Sequence, residues 1–500
     1  ARIGDPSDAA AIRARLGDPD ARVRAEALRA LAMRGEVAPL DDLARLAADA
    51  SALVRYSAFR WGPTDAFRAR PELIEQGLRD PAPEVRAAAA EHTAALSAPP
   101  EQLVRRMLEE SDAAVRAAWL RSLAVAGGVR RENALGAALA AREDLPLLCA
   151  ALETVGPDDI AFAEVVRHHA VTARGATAAS AIAALARLRP ADAVETLARR
   201  LADETDPSLW PVLCHALGEI KTPQAVPPLM AELQRRRGFA AQSAALHALG
   251  GLRFAETVPA LAVATEDPDP RVRVLAAVHL GAQPEWPDAA AAMLWPMLDD
   301  ADSRVIAAAL EALARLGAPR AGARQERLAA LMSSEQPHVV AGAIRVRGAL
   351  GDRSIIPELV RRLHRIAADS PAEPRAAALD ALIALGHGAE VPRAIELAAK
   401  AVVPPSRVRF EPSPDAIETR RAALRYLERF GDAPAAQALL ASFEDLPPPE
   451  LRPDIARTVS RLTGRRYRAL PDSRYRSYSI ESLEPPDHPA QPAKPGVVLE

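Results

Sequence analysis

Residues 18–31 read DPDARVRAEALRAL, and residues 267–280 read DPDPRVRVLAAVHL. The shared pattern is Asp-Pro-x-x-x-Val-Arg followed by apolar residues at helical spacing. Aligned on Val23 and Val272, it recurs around Val54, Val85 and Val115, and more weakly around Val305 and Val339. The first four landmarks are spaced by roughly 31 residues, a period that belongs to solenoids. Degenerate copies fall near Leu147, Thr177, Leu209, Ala241, Pro374, Thr419 and Asp454, which brings the count to about fourteen units.

Each unit also has a first amphipathic segment, such as LDDLARLAADA or VPPLMAELQRR. A short turn leads from it into the Val-Arg segment, so each unit is a helical hairpin. Two such helices cannot bury their apolar stripes by themselves, and neighbours must stack. Gly35, Gly127, Gly317, Gly351, Gly386 and Gly431 keep one offset after the landmarks, where a left-handed residue ends a helix. Pro suits a first helical turn, and an Asp beside it caps exposed amides.

The arginine after the landmark valine recurs as Arg24, Arg55, Arg86, Arg116 and Arg273, while the turns supply Asp18, Asp49, Asp80 and Asp267. Stacked units would set these side by side as an Arg–Asp ladder between neighbours. That role is structural, although the row of guanidinium groups looks like an anion-binding stripe. The units near Leu147, Thr177 and Ala241 lack the arginine.

These landmarks resemble the HEAT repeat family, including its phycobilisome lyase-like subgroup, from about Asp5 to Gly464. The resemblance implies an all-α, right-handed α-solenoid of about fourteen antiparallel helix pairs, with the second helices lining a concave face. The expected organisation is a solenoid over 1–464, interrupted by a Pro-rich insertion at 401–416, and a non-repeat, irregular extension over 465–500. That extension alternates basic and aromatic residues before turning Pro-rich. Tyr467, Arg468, Tyr475, Arg476 and Tyr478 are its candidate partner-binding residues, because aromatic anchors with arginine carry interface energy. Arg407, Arg409 and Phe410 in the insertion are further candidates.

Composition narrows the function. The net charge of -3 gives no global attraction for nucleic acid, and the five tryptophans lie in separate units. Lys221, Lys400 and Lys494 are the only lysines, a bias that with the alanine richness reads as a GC-rich genome. Cys149 and Cys214 sit in apolar helical patterns and read as buried thiols in separate repeats. No His-Glu dipeptide occurs, which removes the di-iron site that resemblance to HEAT-like hydroxylases would require. His168 and His169 are adjacent and point about 100° apart on a helix, so with Glu164 they offer at most two ligands on one face. The run QRRRGF, 234–239, reads as a solvated helix end. No phosphate loop, nucleophile elbow or paired-cysteine motif appears.

No cofactor is expected. The expected role is a non-catalytic protein–protein interaction scaffold or adaptor in a bacterial assembly, with other proteins as partners and no nucleic acid. The alternative is an accessory subunit of a lyase-like or chaperone-like enzyme. No apolar run is long enough to span a membrane. The cytoplasm is the expected compartment; a periplasmic or lipid-anchored location stays open, because the chain starts at Ala1 and a removed leader would leave no trace.

Overall fold

In the computed structural model, residues 6–319, 324–364, 372–399, 414–442, 449–472 and 477–482 are described. They form fourteen helix pairs, beginning with Pro6–Ala14 and Ala21–Met33 and ending with Ala433–Ala441 and Arg452–Thr463. The chain divides into two compact units, Ala1–Leu229 and Met230–Glu500. Within each unit the second helix of one repeat packs on the second helix of the next. The chain thus builds an α-solenoid stack in each unit, as the period requires.

The landmark valines show why stacking is obligatory. Val54, Val85, Val115, Val272 and Val305 are completely buried, each between consecutive repeats. Val23, the equivalent residue of the first repeat, is 37% exposed. The same side chain at the same helical position is thus closed in inner repeats and more open in the first described one. Small residues let the helices approach closely. A methyl group on Gly348, in Pro337–Ala349, would lie 2.8 Å from Ala381 Cβ and 2.9 Å from Ala381 Cα.

The Asp-Pro turn works differently from the sequence expectation. In DPDARVR the second aspartate is the cap: Asp20 accepts a hydrogen bond from Arg22 N at 2.8 Å. The first, Asp18, accepts from the Asp20 amide at 3.0 Å and shapes the turn. Pro19 precedes the helix; the prolines that occupy a first helical turn are those such as Pro83 and Pro270. Gly35 ends its helix at φ 72, a backbone that favours glycine. Gly431 departs from this pattern: it is absent from the left-handed residues, and a Cβ there would meet Leu427 O at 2.7 Å.

The segment after Gly464 is not irregular throughout. β1 (Tyr467–Asp472) and β2 (Ser477–Ser482) pair antiparallel, with Tyr467 opposite Ser482, Arg468 opposite Glu481 and Pro471 opposite Tyr478. This ribbon packs on the last helix, Arg452–Thr463. Residues 400–413 lie outside the described residues, and the helix Pro414–Phe430 begins inside the stretch read as an insertion.

Gly348→Ala offers a measurable check on the packing. Alanine gains about 1 kcal/mol of helix propensity, but forcing a methyl group against Ala381 costs about 1–3 kcal/mol. The clash is with backbone and cannot be relieved by a rotamer change, so the urea midpoint of the variant should fall. A rise would show that the two helices part freely.

Candidate functional site: the charged ladder and the surfaces it leaves free

Each complete rung is one guanidinium bonded to two turns. Arg55 Nε and Nη2 reach Asp80 Oδ2 and Oδ1 at 2.6 and 2.9 Å, while Nη1 donates to Asp49 O at 2.9 Å. Arg24 does the same with Asp49 Oδ2 and Oδ1, at 2.9 and 2.8 Å, and with Asp18 O at 2.7 Å. The carboxylate is positioned by its own turn, since Asp80 Oδ1 also accepts from Ala82 N at 2.9 Å. Rungs are mostly sheltered: the Arg55 and Asp80 side chains are 15% and 8% exposed. This planar, bidentate geometry is what arginine provides and lysine does not.

The acceptors differ in part from those read in the sequence. Arg86 pairs with Glu110, Arg116 with Asp144, and Arg273 with Asp300. Asp18 and Asp267 receive no ladder arginine on their carboxylates. Asp18 is paired with Arg15, and Asp267 accepts from Gln242 at 2.6 Å. Two members escaped the sequence reading although a signal existed. Glu110 and Asp300 stand six residues before the Val-Arg arginine position, as Asp18, Asp49 and Asp80 do. Trp210 occupies the arginine position of its repeat and donates Nε1 to Glu204 O at 3.1 Å, the carbonyl that Arg Nη1 takes elsewhere. Off the ladder, Arg131 bonds Asp159 and the carbonyls of Ala124 and Thr154, an arrangement with no sequence signal.

The electrostatics follow from this geometry. Burial pushes the Asp80 carboxyl up, but the bonds from Arg55 and the Ala82 amide outweigh it and leave it below the usual range. The Arg273 guanidinium, against a smaller opposing effect of burial, holds Asp300 down. Asp49 and Glu110 are lowered too, the pull of Arg24 and Arg86 and of the turn amides exceeding burial.

The remaining candidates separate. His168 is exposed and His169 buried, and Glu164 is paired with Arg167. Cys214 is buried, whereas Cys149 is only half-buried, 3.5 Å from Thr177 Oγ1; neither is in a disulfide. The basic run 234–239 is not simply solvated, because Arg235 and Arg237 face the fully buried Glu232. Among the described residues, no group of three or more His, Cys, Asp or Glu could hold a metal. No described helix is long and apolar enough to cross a membrane. Arg407, Arg409, Phe410, Tyr475 and Arg476 lie outside the described residues, and Arg468 and Tyr478 are described only as strand backbone. Tyr467 is tied down through its amide, which donates to Ser460 Oγ at 2.8 Å.

One groove stands out on the first unit. It runs along the turns that follow the second helices of three consecutive repeats and measures about 720 Å³. Arg68, Glu91, Arg121, Val125 and Arg130 line it. Val125 is 86% exposed, and Val129 beside it is 59% exposed. Arg121 has no ion-pair partner among the described residues.

Comparison with known proteins agrees with the fold. The family profile for HEAT repeats matches residues 226–314. These residues are HEAT repeats, and the same helix pair recurs on both sides of them. Kap95p, the yeast importin-β, in a structure concerned with RanGDP, superposes with a TM-score of 0.61 at 15% identity, over 91% of this chain and 72% of that one. Importin-β from an ammonium sulfate condition gives 0.57 at 14% identity, with the same coverage. A Kap121p mutant gives 0.54 at 13% identity, over 87% of this chain and 54% of that one. At such identities the likeness is one of fold. A search of curated proteins finds none that matches.

The ladder has a pH signature. Carboxylates whose folded pKa is lowered add stability above their unfolded value and lose it as pH falls through the folded one. Melting temperature should therefore drop below about pH 4. Replacing Arg55 and Arg273 with alanine should make that drop shallower. At neutral pH, Asp80→Ala should cost on the order of 1–2 kcal/mol, since the rung is charge-assisted but its rim is wet. Equal acid profiles for wild type and the double variant would remove the ladder from the stability of the stack.

Proposed function

We propose that this chain is a non-catalytic protein-binding scaffold or adaptor in a bacterial multi-protein assembly. The observation that carries this reading is the first-unit groove, where exposed Val125 and Arg121, which has no ion-pair partner among the described residues, lie on one lining, with exposed Val129 four residues further on. Val125 is the most exposed of the large apolar side chains among the described residues, although single ones such as Met33, Leu145 and Ile160 are open too, and the ladder charges pair with one another. An exposed apolar pair rimmed by arginines is the composition of a protein contact. Stacked repeats suit such a role because they present successive turns in register. The C-terminal segment, with Tyr467, Arg468, Tyr475, Arg476 and Tyr478, is the second proposed contact, and Arg407, Arg409 and Phe410 the third. The alanine- and arginine-rich composition supports a bacterial source.

Photo-crosslinking in the native host tests this. A photoreactive residue at Val125 or Arg121 is expected to give one dominant protein adduct, and a residue at the exposed Arg199 is not. A charge placed beside the probe, Val129→Asp, should abolish the adduct. Crosslinking that is equal at all three positions, or absent from the groove, overturns the reading.

A further inference from the structure

The ladder has a gap that is the right shape for a guanidinium. At the complete rung next to it, Asp300 accepts three hydrogen bonds, two from Arg273 at 2.7 and 2.8 Å and one from Asp302 N at 2.8 Å. One repeat earlier, in the helix Phe239–Gly251, the ladder position holds Gln242. Its amide reaches Asp267 Oδ2 through a single 2.6 Å bond, and Asp269 N supplies Oδ1 at 2.9 Å. Asp267 is only 4% exposed. A nearly buried carboxylate is thus left one hydrogen bond short of its neighbour and without a bidentate cation.

The space the arginine would fill is open. A cleft of about 170 Å³ lies there, with Leu233, Val263 and Ala264 as apolar walls and Gln234, Arg236, Gln242 and Asp267 as polar ones. A cavity of roughly 150 Å³ holds a benzene-sized molecule, and a guanidinium group is smaller. Arg236 does not occupy the slot: its Nε is 3.6 Å from Asp267, and its side chain is 56% exposed.

We infer that this cleft binds the guanidinium of an arginine side chain from a protein partner, which completes the rung in place of a residue of this chain. Asp267 accepts its N–H groups, and the apolar walls cover its faces. Lysine fits poorly, because its compact, strongly hydrated ammonium can neither bridge a carboxylate bidentately nor stack. The choice of a protein as the source of the arginine rests on the scaffold reading; guanidinium binding itself does not.

Calorimetric titration of the full chain with N-acetylarginine amide tests the inference, with N-acetyllysine amide as control. Saturable binding of the arginine probe is expected, with the lysine probe at least about tenfold weaker. Gln242→Arg should abolish binding and raise the melting temperature, because the chain then fills its own slot. Asp267→Asn, which removes the charge with little change of shape, should also lose binding, with circular dichroism confirming that both variants fold. No saturable binding by wild type, undiminished binding by Gln242→Arg, or equal affinity for the lysine probe overturns the site. Binding of free arginine without binding of the capped probe overturns its assignment to a protein side chain. A failed titration removes the slot and leaves the scaffold reading to the crosslinking result.

Discussion

A helix pair in this chain is too thin to bury its own apolar stripe, and everything else follows from that constraint. The landmark valines are buried in the stack, as the contrast between Val54, which lies on a helix packed by a repeat on either side, and the more open Val23 shows. Packing supplies the energy of this contact, but apolar contact is non-directional. The guanidinium rungs add direction. One arginine holds the carbonyl of its own turn and the carboxylate of the next, so it fixes the register between repeats as well as their proximity.

Much of this was legible in the sequence, and the reasons differ from element to element. The helix pairs were readable because period and amphipathicity are local properties, and even the degenerate units at Thr177 and Asp454 carry second helices. The ladder arginines were readable because one residue type recurs at one position. Their acceptors were less so: a search for aspartate passes over Glu110, and an acceptor can drift, as Asp144 shows. Trp210 and Gln242 were invisible as ladder members because they share a hydrogen-bonding role with arginine and no resemblance in type. The Arg131–Asp159 bond joins elements whose proximity is a product of stacking, which no local pattern encodes. The ribbon was missed because its arginines, tyrosines and serines read as a linker, while its pairing depends on backbone groups that composition does not report.

The chain carries 63 basic and 66 acidic residues, a nearly even balance. A large share of these groups meet each other across repeats or within one helical turn, as Arg106 does with Glu75 and Arg199 with Glu195. What stays distinctive is local: the arginine-rimmed apolar groove of the first unit and the incomplete rung of the second. Each arises where the repeat departs from its own rule, the first where a valine faces outward, the second where a glutamine replaces an arginine.

The ribbon Tyr467–Ser482 lies on Arg452–Thr463, with the Tyr467 amide hydrogen-bonded to Ser460. Open helical stacks invite end-to-end growth, because their last helix offers the same sticky surface as every internal one. Here that helix carries a paired β-structure instead of another helix pair. The ribbon thus covers, with paired backbone, helical surface that would otherwise face outward.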